Sequence, residues 1–183
     1  ADLLKKLDSI EIPAKLNVKL AADMTASVVQ VSCSSATDLS ASGYIKLGDE
    51  IISYAAKSGN QLTGCTRGCF STTAATHTQG DKIEQVRYYE PQSAYDILTT
   101  MLLTDAGIAA GSVDSTAFAA WKAFDTDLPY FSAIITKPTK LRTLYFEIID
   151  LLDCKSWVAE DLKITIAKNL PNYPGRTYTT LTD

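Results

Sequence analysis

The feature that most constrains this chain is the stretch 43–82, where glycine-bearing turns interrupt short apolar runs at close intervals. Glycine takes a positive φ without steric cost, so Gly48-Asp49 and Ser58-Gly59-Asn60 predict tight turns. Around them lie Tyr44-Ile45-Lys46-Leu47, residues 50–55 (E-I-I-S-Y-A) and Gln61-Leu62-Thr63, all rich in strand-forming types. Residues 44–47 and 50–55 should pair as a hairpin, with 61–63 a further short strand. Residues 27–32 (S-V-V-Q-V-S) and 82–88 (K-I-E-Q-V-R-Y) read as flanking strands. Upstream, Ile12, Ala14, Leu16, Val18 and Leu20 recur at period 2, the pattern of a strand with one buried face. Short strands at this spacing predict a small antiparallel β-domain, barrel-like or sandwich-like.

The character changes at Pro91. Tyr95, Ile97, Leu98, Met101, Leu102 and Leu103 stand at helical spacing and predict a helix over 91–105, with Pro91 in its first turn and Gly107 as C-cap. Asp114-Ser115 predicts the cap of a second helix carrying Phe118, Trp121 and Phe124 on one stripe. Residues 131–136 read as a strand. Lys137-Pro138-Thr139 should start a third helix with Leu141, Leu144, Tyr145, Ile148, Ile149 and Leu152 on its apolar face. Residues 156–159 and 162–167 then read as a hairpin across Glu160-Asp161, and both Trp121 and Trp157 are expected in the core.

The predicted class is therefore α+β, with the small antiparallel β-domain inserted in, or followed by, a mixed helix/strand domain. Residues 1–21 should supply a strand that pairs with the C-terminal part, 22–90 the β-domain, and 91–183 the second domain. With 183 residues and 46% hydrophobic content the chain can bury cores of this size. Residues 1–7 and 178–183 read as cut ends, which suggests a fragment of a longer protein.

Charge and side-chain chemistry narrow the function. The net charge is −4, and no Lys/Arg cluster forms the basic face that sequence-specific nucleic-acid binding uses; Lys5, Lys6, Lys15, Lys19 and Arg176 read as solvated surface. No apolar run approaches the ~20 residues of a membrane span, and no signal-peptide pattern opens the chain. The four cysteines, Cys33, Cys65, Cys69 and Cys154, with the lone His77, do not have zinc-site spacing. Free thiols are favoured over a local Cys65–Cys69 disulfide. His77 lies among hydroxyls with Asp81 near, but no G-x-S-x-G elbow accompanies it, so it reads as a loop histidine tying down backbone groups. Asp49-Glu50, Asp125/Asp127 and Glu160-Asp161 are acidic pairs. Neighbours on a strand face opposite ways, which argues against Asp49 and Glu50 lining one cleft. The aspartates at 125 and 127 lack the Gly and distal Glu of an EF-hand loop. Gly64, Gly68 and Gly80 do not have phosphate-loop spacing. No catalytic, cofactor-binding or metal-ligating set is predicted, and the chain is not expected to be an enzyme.

A more specific signal is the order of residues in 43–82, G-Y-I-K-L-G-D-E-I-I-S-Y-A-A-K-S-G-N-Q-L-T-G-C-T-R-G-C-F-S-T-T-A-A-T-H-T-Q-G-D-K. It resembles a module of long-tailed bacteriophage and prophage tail proteins, with the pattern G-D-E-x-I, then L-T-G-x-x-R-G, then H-x-x-G-D. Gly43, Gly48, Asp49, Glu50, Ile52, Tyr54, Gly59, Leu62, Gly64, Arg67, Gly68, Thr73, Ala75, His77, Gly80 and Asp81 carry the match. Residues 91–108 and 131–167 are similar, more loosely, to hub-type proteins of tail tips and baseplates. The resemblance implies a virion component made in the host cytoplasm. It would form a ring as a homo-oligomer at the distal end of the tail and contact tail-tube, tape-measure and fibre proteins. It also implies that Asp49, Glu50, Arg67, His77 and Asp81 are structural braces of the β-module, with Arg67 clamping Glu50 or loop carbonyls. Two other readings stand beside it. A host-surface module binding glycan or receptor would present aromatics on an exposed face of 25–90, with Tyr44 and Tyr54 as candidates. A peptidoglycan-cleaving enzyme would need a carboxylate pair across a cleft.

Overall fold

The computed structural model describes residues 3–169. Arg176 and the 178–183 end lie outside them. A short helix α1 (Leu3–Lys6) leads into β1 (Glu11–Ile12) and β2 (Val18–Lys19). Then follow β3 (Val31–Ser32), β4 (Gly43–Leu47), β5 (Glu50–Tyr54), β6 (Ala56–Ser58), β7 (Gln61–Thr63) and the long β8 (Lys82–Gln92). The second half holds α2 (Ala94–Thr100), which runs on into a π-helical turn (Met101–Asp105), then α3 (Ser115–Phe124), β9 (Phe131–Ile135), β10 (Thr139–Lys140) and α4 (Leu141–Leu151). A hairpin of β11 (Cys154–Val158) and β12 (Ile164–Lys168) follows.

The class is α+β, and the central sheet is a curled antiparallel half-barrel in the order β2-β8-β4-β5, with β9 also on β8. The β4–β5 hairpin closes at Leu47↔Glu50. Gly48 sits there at φ +56°, as a two-residue turn between right-twisted strands requires. A second small sheet, β3-β7-β6, packs against it. Alternation then decides the core: Ile45, Leu47, Ile52, Leu62 and Ile83 point inward with Val18, Leu20 and Val31 into one apolar cluster. A separate cluster joins Leu98, Leu102, Phe118, Leu141, Tyr145 and Ile164 from the helices and the terminal hairpin. Strand β8 belongs to both, with Ile83 in the first and Tyr89 in the second.

Several expected elements take a different form. The single strand expected over 12–20 is two short ones. Pro13 has no N–H to give a ladder, and pairing stops there. Only Glu11 and Ile12 pair with the C-terminal part, on Lys140 and Thr139. Val18 and Lys19 pair with Ile83 and Lys82 and join the β-core instead. In 27–32 only Val31–Ser32 is strand, and Val28 and Val29 stay exposed. Pro91 does not start a helix. It continues β8 through a register irregularity between Tyr89 and Gln92, where a missing donor is tolerated, and α2 begins after Ser93. Thr139 likewise remains in a strand, so α4 starts at Leu141. Trp121 is buried, but Trp157 is 44% exposed, because it alternates with Cys154 and Ser156 onto the face of the hairpin turned away from the core.

Candidate functional site

Three of the module's polar residues, Glu50, Arg67 and His77, meet at the start of β5. The Gly48 turn delivers Glu50 to the first position of β5, where its side chain is only 1% exposed. Opposite it, Gly68 stands at φ +64°, and a Cβ there would lie 2.9 Å from the Thr72 carbonyl oxygen. Only glycine lets the 67–74 loop fold this closely, and the fold brings the Gly68 amide to Glu50 Oε1 at 3.1 Å.

Arg67 grips the same carboxylate from both sides: Nε donates to Oε1 and Nη2 to Oε2, each at 2.7 Å. Its remaining N–H groups donate to the carbonyls of Thr25 (2.7 Å), Val28 (3.1 Å) and Ala75 (2.7 Å). His77 Nε2 lies 2.8 Å from Glu50 Oε2, and the Ala75 amide donates to the same oxygen at 3.1 Å. Since the carboxylate can only accept, the imidazole carries its proton on Nε2. The His77 backbone pairs with Met24 in both directions at 2.9 Å, an isolated bridge that fixes the ring's approach. Burial would raise the Glu50 pKa, but the hydrogen bonds from Arg67, His77 and the Ala75 and Gly68 amides outweigh it and hold the group near 2.

Among the five residues assigned as braces, Glu50, Arg67 and His77 form one clasp. It joins the 25–28 loop, β5, the 67–68 turn and the 75–77 segment. Asp81 sits at its margin, with Oδ2 4.0 Å from His77 Nδ1, and its carboxylate caps the Thr78 amide at 2.9 Å. Asp49 lies apart, exposed in the turn. The histidine therefore holds a carboxylate through its ring and a neighbouring loop through its backbone, whereas the sequence suggested ring contacts to backbone groups.

Chemically the Glu50–Arg67 pair is saturated. Both Glu50 oxygens accept more than one donor, and the Arg67 fork is spent on protein acceptors. Among the described residues no three His, Cys, Asp or Glu side chains cluster as a metal site. The cysteines are free, and burial, with Cys65 nearby, pushes the Cys33 thiol up to about 11. No helix of the described residues is long and apolar enough to cross a membrane.

Two groupings escaped sequence reasoning. In the second core Asp125 accepts from the Tyr95 hydroxyl and pairs with Lys168 Nζ at 2.7 Å, while Trp121 Nε1 donates to the Ile166 carbonyl at 3.0 Å. This is a structural tie between α2, α3 and β12, and nothing in the spacing of these residues announces it. On the module, the rings of Tyr44, Phe70 and Tyr88 touch one another, whereas Tyr54, the other ring considered for display, is 2% exposed with its hydroxyl on the Ser40 carbonyl. No protein-family model matches this chain, and no curated protein matches it.

Proposed function

We propose that this chain is a structural component of a long-tailed phage tail tip or baseplate, working through protein–protein contacts at the distal end of the tail. One observation carries the reading. The residues that define the tail-type module, Glu50, Arg67, Gly68 and His77, are spent on one another in a buried clasp, and none is presented to a cleft. A motif used this way specifies the shape of a module. The surface of the second half adds support. Phe124, Leu128, Tyr130, Leu151, Trp157 and Leu162 are exposed apolar side chains of the kind that anchors interfaces. Tail-tube, tape-measure and fibre proteins are the proposed partners, with further copies of the full-length protein closing a ring.

Cryo-microscopy or immunogold labelling of virions tests this directly, and the expected location is the distal tail end. Absence from particles abandons the reading. So does purified protein that cleaves peptidoglycan and loses that activity on His77→Ala.

A further inference from the structure

Away from the clasp, the terminal hairpin leaves one of its two edges open. Two backbone bonds fix which residues are hydrogen-bonded across it: the Asn169 amide donates to the Asp153 carbonyl and the Ala159 amide to the Lys163 carbonyl, each at 2.9 Å. In an antiparallel ladder such pairs alternate with pairs whose N–H and C=O groups point away from the partner strand. Lys155 and Trp157 therefore bond across to Ala167 and Thr165, while Cys154, Ser156 and Val158 turn their backbone groups outward. Ile164 and Ile166 do the same on β12, and there the chain supplies partners. The Asp114 amide donates to the Ile164 carbonyl at 2.9 Å, and Trp121 Nε1 to the Ile166 carbonyl at 3.0 Å. Among the described residues no such partner meets the outward groups of β11, which pairs with β12 alone.

Beside that edge lies a groove of about 420 Å³, bordered by Phe146, Ile149 and Asp150 of α4 and by residues 154–157 of β11. Helix α1 also packs near β11, but it does not line the groove. Phe146 and Ile149 make the α4 wall apolar. Lys155 and Trp157 stand exposed on the other side, on the face of the hairpin turned away from the core. A strand edge with free donors and acceptors is a template for a further strand, and folded proteins ordinarily blunt or cover it. A groove between such an edge and a helix is the geometry in which an extended peptide adds to a sheet. Its main chain then bonds to the edge, and its alternate side chains enter the groove.

Charge selects the occupant. Asp150 lines the groove, and Glu147 stands one helical turn before it; both are exposed, and neither has an ion pair among the described residues. Exposed Asp153 adds a carboxylate at the start of β11, against Lys155 on the far wall. Arg142, beyond Phe146, already faces Asp8 at 3.6 Å. A second copy of this chain would bring the same carboxylates to meet these, which disfavours self-pairing. We propose that the open edge of β11 is a strand-addition site for an extended segment of a partner protein. The segment bonds to the backbone of Cys154 and Ser156, sets apolar side chains on Phe146 and Ile149, and brings a Lys or Arg to Asp150 and Glu147. This goes beyond the assembly reading and does not depend on it.

The test uses the whole chain on an array of synthetic extended peptides, alternately apolar and polar, with Lys, Ser or Glu at the polar positions. Calorimetric titration of the strongest binder follows. Lysine peptides should bind best, and their glutamate counterparts about tenfold or more weakly. Asp150→Lys, an exposed change, should reverse that order and leave the melting temperature near the parent's. Amide exchange read by nuclear magnetic resonance on the unmutated protein keeps the test valid should the variant misfold. Bound peptide should slow exchange at Cys154 and Ser156 about tenfold or more, whereas Lys155 and Trp157, already bonded to β12, should change little. Four outcomes overturn the proposal: no array peptide bound at millimolar concentration, lysine and glutamate peptides bound alike, binding that leaves the Cys154 and Ser156 amides unchanged, or protection of those amides that grows with the concentration of the chain alone, which would assign the edge to a second copy. None of them bears on where the protein sits in a virion.

Discussion

At the scale of single residues, Glu50 concentrates the energetics of the β-module. Removing the fork with Arg67→Ala leaves a buried carboxylate short of two donors and frees three loop carbonyls. Breaking a buried pair from one side costs about 3–5 kcal/mol, so urea denaturation should show a loss of that order. Arg67→Lys should recover only part of it, because a point charge cannot bind both oxygens at once. A variant as stable as the parent would mean that the clasp contributes nothing net. The same group sets an acid limit. Glu50 holds its proton more weakly in the folded chain, near 2, than at its ordinary value of 4.5. Its contribution is therefore complete above about pH 4.5 and is lost as the pH falls toward about 2, on the order of 3 kcal/mol in all. Melts across that window should steepen their decline in the parent and flatten in Glu50→Gln. The clamping role of Arg67 was legible, with Glu50 and loop carbonyls left open as its partners, and the guanidinium takes both. The left-handed Phe70 and Ser71 were not legible, since neither residue type announces that conformation.

At the scale of elements, caps and turns were easier to read than ends. Asp114 does what its type and place predict: Oδ1 accepts from the Ala117 amide at 3.0 Å and caps α3. It does more than a cap, because Oδ2 accepts from Thr165 Oγ1 at 3.2 Å and ties the helix to β12. Asp114→Ala should therefore cost about 1–2 kcal/mol, at the upper end of cap losses. Asp114→Asn, which keeps the capping oxygen, should cost less. Chemical denaturation separates the two, and equal losses would show that the cap is not the source. The β4–β5 hairpin was legible for the reason α3 was, because Gly48 marks a turn whose backbone other residues avoid; the turn at Gly59 was legible too, but β6, the strand that it joins to β7, was not expected. Pro91 misled because its fixed φ suits a helix start and a strand end alike, and the outcome was decided by β9, a strand some forty residues further on, pairing alongside. Residues 12–20 misled for a related reason. Their period-2 pattern continues across Pro13, but the partners on the two sides of the break belong to different cores.

At the scale of the whole molecule, the two apolar clusters share a strand but no buried residue. Leu62 belongs to the module cluster alone, and Leu141 and Tyr145 belong to the other. What crosses between them is chiefly β8, entering with Ile83 and leaving with Tyr89, and the 12–18 segment. Stability in such a chain need not be uniform, because each cluster can lose its packing while the other keeps its own. Leu62→Ala, which opens a cavity in a fully buried site, should cost about 2–5 kcal/mol, and the cost should fall on the module. Hydrogen exchange followed by mass spectrometry reads this directly. Amides of β3, β5, β6 and β7 should exchange faster, those of α2 and α4 should keep the parent's protection, and β8 should divide near its middle. Equal loss of protection in α4 would mean that the clusters unfold as one, and that the long strand couples them too tightly for the module to move alone.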